Sequence, residues 1–135
     1  MLLVDTGVFV SVADRNEPRH AECTALFRTR RDLAVTAAVI PETAWLIESR
    51  LGPQAEARFL TLVTSARFTI VDLLSLGYER CIDLIGTYAD LGLGFVDASI
   101  IAIGERLAIP TIATLNHRDF AVVRPAHCEA FQLIP

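Results

Sequence analysis

Lysine is absent from this 135-residue chain, whose twelve basic residues are all arginine. Arginine suits phosphate because its guanidinium donates paired hydrogen bonds, although codon bias produces the same composition. Basic charge is also scarce, and with sixteen acids the formal net charge is −4. That excludes a protein that coats nucleic acid by bulk charge, and leaves room for one that holds a short stretch in a local groove. Cys23, Cys81 and Cys128 stand far apart in no CxxC spacing, so reduced thiols are expected rather than disulfides or zinc ligands. His20, His117 and His127 are equally scattered, with no helical pair to hold zinc. No apolar run approaches the roughly 18–20 residues of a membrane span. Nor does the chain open with a basic segment and a small-residue cleavage site. No membrane partner and a cytoplasmic location are therefore expected.

What is present is apolar. Hydrophobic residues make up 53% and charged residues 21%, enough core for one compact domain spanning 1–135. The chain is organised around Met1-Leu2-Leu3-Val4-Asp5-Thr6-Gly7-Val8-Phe9, an apolar run stopped by an acid and a Thr-Gly pair before a second apolar run. Such a run reads as a buried strand, and ligands gather at the carboxyl ends of strands in open α/β sheets. Asp5 at that end is either a helix cap or a chemical group, and Thr6 either bonds its carboxylate or caps the next helix.

Further strands are expected at 33–35, 68–71, 110–114 and 131–134. Helices are expected at 8–13, from Pro18 onward, and at 38–50, 54–66, 75–89 and 95–107. Gly52-Pro53 supplies a strong stop, and Pro41 is tolerable because it falls in a helix's first turn. Residues 91–94 read as a loop, and 115–120 as a polar turn that can move. The alternation predicts an α/β fold with a mostly parallel central sheet of four to five strands flanked by helices.

That topology brings four acids to one sheet edge: Asp5, Glu42, Asp97 and Asp119. The first three each follow an apolar residue, as Val4-Asp5, Pro41-Glu42 and Val96-Asp97. Buried carboxylates held together repel and resist ionisation, and a divalent cation relieves that strain. An all-oxygen set selects Mg²⁺ or Mn²⁺ over zinc.

At these positions the chain resembles the PIN-domain ribonucleases, and within them the VapC-type toxins of bacterial toxin–antitoxin pairs. Leu3-Val4-Asp5-Thr6-Gly7, Pro41-Glu42, Phe95-Val96-Asp97-Ala98 and Thr114-Leu115-Asn116-His117-Arg118-Asp119-Phe120 carry the resemblance across nearly the whole chain. It implies an endoribonuclease that hydrolyses RNA with Mg²⁺ or Mn²⁺, forms a homodimer and is silenced by a small VapB-type antitoxin. The three core acids carry over onto Asp5, Glu42 and Asp97. Many members have Asp where this chain has Asn116, a neutral oxygen in place of a charge, with Asp119 or water as the substitute.

Asp5 and Asp97 are then the metal ligands, with Glu42 binding metal or orienting the attacking water and Asp119 completing the catalytic acids. Thr6, Ser99, Thr114 and Asn116 are assigned to holding those ligands or touching substrate. Three rivals fail on the residues. Aspartic proteases share Asp5-Thr6-Gly7 but are all-β. Dehalogenase-type phosphatases need a second Asp where Gly7 stands, and a flavodoxin-like binding module needs a Gly-rich phosphate loop, which does not follow strand one. An inactive PIN-fold binding protein remains as the alternative.

Overall fold

The computed structural model describes all of residues 1–135. Five strands, β1 (Leu2–Val4), β2 (Leu33–Thr36), β3 (Phe68–Val71), β4 (Thr111–Ala113) and β5 (Gln132–Ile134), form one sheet in the order β3-β2-β1-β4-β5. Every pairing is parallel, with Leu3 opposite Ala34 on one side and Ile112 on the other. A parallel sheet covered on both faces needs continuously apolar strands. β1, fully buried as Leu2-Leu3-Val4, meets that need.

Seven helices connect the strands: α1 (Thr6–Ala13), α2 (His20–Thr29), α3 (Val39–Leu51), α4 (Pro53–Val63), α5 (Ser75–Thr87), α6 (Phe95–Leu107) and α7 (His117–Val122). Helices α1 to α4 pack against one another, while α5 packs on α6. Four phenylalanines tie the first group to the sheet. Phe9 of α1 meets Phe27, Phe59 and Phe68 at ring-centroid distances of 5.4, 5.2 and 5.6 Å. Gly52 joins α3 to α4 at φ +87°, a conformation that any side chain would strain. Gly104 lets α6 sit close to the sheet, since a Cβ there would lie 3.1 Å from Phe131 and 3.3 Å from Leu3.

Some boundaries differ from the sequence reading. Pro18 lies in turns ahead of α2 rather than in its first turn: the Glu17 and His20 amides bond the carbonyls of Asp14 and Glu17. Residues 89–91, where the expected helix at 75–89 gives way to the expected loop at 91–94, form one turn of 3₁₀ helix. The expected polar turn at 115–120 instead contains the start of α7, capped by Asn116 and anchored by the buried Phe120. Its apolar signal is a single phenylalanine, too little to show helical periodicity. No helix is long and apolar enough to cross a membrane.

Candidate active site

Chain order reverses between β1 and β4, and at such a point the loops leaving two neighbouring strands diverge and open a crevice. Asp5 leaves β1 there and Thr114 leaves β4. The Asp5 amide bonds the Ala113 carbonyl at 2.9 Å. Helices α1, α3, α6 and α7 all begin at this edge, so their positive ends offset part of the acids' mutual repulsion.

Asp5 is both cap and buried acid. Its Oδ1 accepts from the Thr6 amide at 2.7 Å, and its Oδ2 accepts from the Thr114 hydroxyl at 2.7 Å. Only 7% of the residue is exposed. Burial pushes its pKa up, against the lowering effect of the Thr114 and Thr6 hydrogen bonds, and the charge of Glu42 adds to the rise. The Thr6 hydroxyl turns the other way and donates to Glu42 Oε2 at 2.7 Å, so one residue fixes two acids.

Asp97 stands in the first turn of α6, half-buried and without a side-chain partner. Burial first, then the charges of Asp5, Glu42 and Asp119, raise its pKa to about 6, with the Gly94 amide opposing. Asp119 is held otherwise. Asn116 Nδ2 donates to its Oδ2 at 2.9 Å and Arg118 Nε to its Oδ1 at 3.1 Å, and these partners lower its pKa. It is therefore a fastened residue in a helical turn, not part of a loose one.

The other assigned residues separate into two kinds. Thr114 joins the two strand ends, donating to Asp5 and accepting from the Asn116 amide at 3.0 Å. Ser99 bonds none of the acids: its hydroxyl donates to the Val96 carbonyl at 2.6 Å and lies 3.2 Å from the Thr36 hydroxyl. Thr36 was missed in the sequence, although its place at the end of β2 parallels that of Thr114 after β4.

The donor set suits a hard divalent cation, being all oxygen with one acid, Asp97, left without a partner. No three of the His, Cys, Asp and Glu side chains close to metal-binding distance. Asp5, Glu42 and Asp119 are each tied by the threonine and asparagine bonds described above. The four acids thus form an electrostatic group rather than a finished cage.

A stability prediction follows from Asp97. The folded chain retains a proton near pH 6 that the unfolded chain releases near 3.8, so in metal-free buffer this residue's effect on stability worsens as pH rises from about 4 to 6. Asp97→Asn should then be more stable than the parent at pH 7.5 by about 1–2 kcal/mol, discounted for partial exposure, and equal to it at pH 4. Mn²⁺ should raise the parent's melting temperature at pH 7.5 more than the variant's. Parallel melting curves that show no pH-dependent difference would contradict the repulsion.

A family model for the PIN domain matches residues 2–124. The chain belongs to the PIN-domain family. This PIN domain is 27% identical over 135 residues to Ribonuclease VapC26 of Mycobacterium tuberculosis, covering 99% of this chain and 100% of that protein. Its fold is similar to that of M. tuberculosis VapC20, a sarcin–ricin-loop-cleaving toxin, with TM-score 0.78, 18% identity and coverage of 83% and 87% of the two chains. It is also similar to VapBC2 from Rickettsia felis bound to a promoter DNA fragment, with TM-score 0.70, 14% identity and coverage of 99% and 98%.

Proposed function

We propose that this PIN domain is a Mg²⁺- or Mn²⁺-dependent endoribonuclease acting as the toxin of a toxin–antitoxin pair. The observation that carries this reading is the gathering of Asp5, Glu42 and Asp119 around the half-buried Asp97, with Thr6 bonded to both Asp5 and Glu42; burial first and then the three charges push the Asp97 pKa up. An acidic edge of this kind is costly unless a cation shares it. Asp5 and Asp97 would hold the cation. A divalent ion there supplies Lewis acidity toward a scissile phosphate and lowers the pKa of water. Glu42, which accepts from Thr6, would orient the attacking water, and Thr114, which donates to Asp5, would hold that carboxylate's plane. Asn116 keeps Asp119 beside the group without adding a charge. Its relative VapC26 is a ribonuclease by name, which supports RNA as substrate. Purified protein should cleave RNA with Mn²⁺ or Mg²⁺, and EDTA should stop it.

A second reading rests on the unclosed cage: an inactive PIN-fold protein that binds RNA. RNA binding without metal-dependent cleavage would favour it.

A small antitoxin is the proposed partner. Between α1, α3 and α4 lies a groove of about 580 Å³, floored by Phe9, Ile47 and Phe59 and edged by Arg15 and Arg58. Neither arginine forms a salt bridge. Apolar floor and basic rim suit an amphipathic acidic helix. The groove is walled by α1 and α3, whose first turns carry Thr6 and Glu42. Arg58→Glu should weaken neutralisation by the cognate antitoxin while leaving RNA cleavage unchanged; unaltered neutralisation would remove the groove from the interface. A homodimer is proposed as well, because Trp45, Leu76 and Ile82 are 66%, 77% and 70% exposed. A monodisperse monomer at about 10⁻⁵ M would count against it.

A further inference from the structure

A second cavity, of about 190 Å³, opens beside the acidic edge, and its walls differ from those of the catalytic group. Phe95 and Ser99 are one turn apart on α6 and share a face, while Asp97 lies about 200° around the helix from Phe95 at 100° per residue. The first turn of α6 therefore carries the acid on one flank and this cavity on the other. Tyr78 of α5 lies almost parallel to Phe95, with ring centroids 6.0 Å apart and an interplanar angle of 12°. Both line the cavity, and they keep 50% and 43% of their surface exposed. The cavity's polar side chains are Thr36, Asp72, Ser99 and Tyr78, and no arginine lines it. A phosphate would meet a carboxylate and no cation there, whereas a neutral planar ring would meet an aromatic face.

The hydrogen bonds decide which ring. Ser99 gives its proton to the Val96 carbonyl, so the 3.2 Å contact with Thr36 must use the threonine's proton. Both hydroxyls are thereby spent on protein partners, and Thr36 and Ser99, at 1% and 0% exposure, close the floor of the cavity. Asp72 Oδ1 accepts from the Leu73 amide at 2.8 Å, and its other oxygen is likewise an acceptor. The exposed Asp72 carboxylate, which can only accept, fits a base edge rich in N–H donors better than that of uracil, which has two carbonyls and a single N–H.

We infer that the Tyr78–Phe95 pair and the Asp72 carboxylate form a nucleobase subsite for the nucleotide next to the cleaved bond, selecting amino-bearing bases over uracil. This rests on the ribonuclease reading above. Stacking on exposed aromatics is sequence-tolerant, so Asp72 supplies the preference and the rings supply the grip.

The test uses the full chain carrying Asp97→Asn, titrated by fluorescence anisotropy with labelled oligoadenylate, oligocytidylate and oligouridylate. The first two should bind about tenfold more tightly than the third. Adding Tyr78→Ala or Phe95→Ala should weaken the tight binders by about 5- to 100-fold, the span expected for one stacked base. Tyr78→Phe should retain them, and both rings are exposed enough for the alanine variants to fold. In the cleavage-competent chain the same alanine changes should raise KM with kcat nearly unchanged. Equal affinity for the three oligonucleotides, or undiminished binding by both alanine variants in a parent that still cleaves RNA, overturns the subsite and spares the nuclease. So does a Tyr78→Ala change that alters only the oligomeric state. A parent that neither binds nor cleaves RNA overturns the ribonuclease reading and the subsite with it.

Discussion

Asp97→Asn should reduce RNA cleavage by about 10³-fold or more while the chain still folds, because the lost carboxylate supplies several kcal/mol of charge stabilisation through a cation. Asp97 is the one acid of the four with no side-chain partner, and an amide oxygen can still face the Gly94 amide, so its amide isostere disturbs little else. Asp5→Asn should be comparably damaging. Its Oδ1 can still accept from the Thr6 amide, and the Thr114 hydroxyl can rotate to accept from the new Nδ2, so the strand ends stay joined. Asp119 is a different case, since its oxygens already serve Asn116 and Arg118. Asp119→Asn should weaken metal affinity only about 10- to 100-fold, as expected for a group that acts around the ligands. Asn116→Asp keeps the helix cap, adds a charge and releases Asp119, and should tighten Mn²⁺ binding. Calorimetric Mn²⁺ titration beside initial-rate assays separates these cases. If Asp119→Asn matches Asp97→Asn, Asp119 is a direct ligand; if no variant changes affinity or rate, the inactive binding protein becomes the better reading.

Phe9→Ala should destabilise the fold by about 3–5 kcal/mol, lowering the melting temperature by about 10–20 °C. Phe9 is 2% exposed and stands at the centre of the ring cluster, touching residues from α2, α4 and β3. Removing it leaves a cavity among three aromatic side chains that cannot all collapse inward, and forfeits edge-to-face contacts worth about 0.5–1.5 kcal/mol each. The consequence reaches the acidic edge, because Phe9 anchors the helix that Asp5 caps and Thr6 begins. Phe9→Leu keeps most of the volume and should cost much less. A melting-temperature loss below about 3 °C for Phe9→Ala would mean the cluster is not what holds α1 to the sheet.

The strand β1, its closing acid and the stop at Gly52-Pro53 could be read from local pattern, because each is a run of residues whose polarity changes abruptly. The alternation of strands and helices likewise implied parallel pairing, and with it one edge shared by Asp5, Glu42 and Asp97. Helix α7 escaped notice because its evidence is a cap and one buried phenylalanine rather than a period. The pairing of hydroxyls with acids was beyond local pattern altogether. Thr6 is next to Asp5 in the chain yet serves Glu42, and the hydroxyl that serves Asp5 comes from Thr114, 109 residues away. Ser99 reads as a neighbour of Asp97 and instead meets Thr36 across 63 residues. Residue type and spacing by themselves determined which groups reach the carboxyl edge, since strand direction and helix entry are local properties. Which group each one faces there was decided by the strand order β3-β2-β1-β4-β5, because side-chain orientation depends on packing between segments distant in the chain.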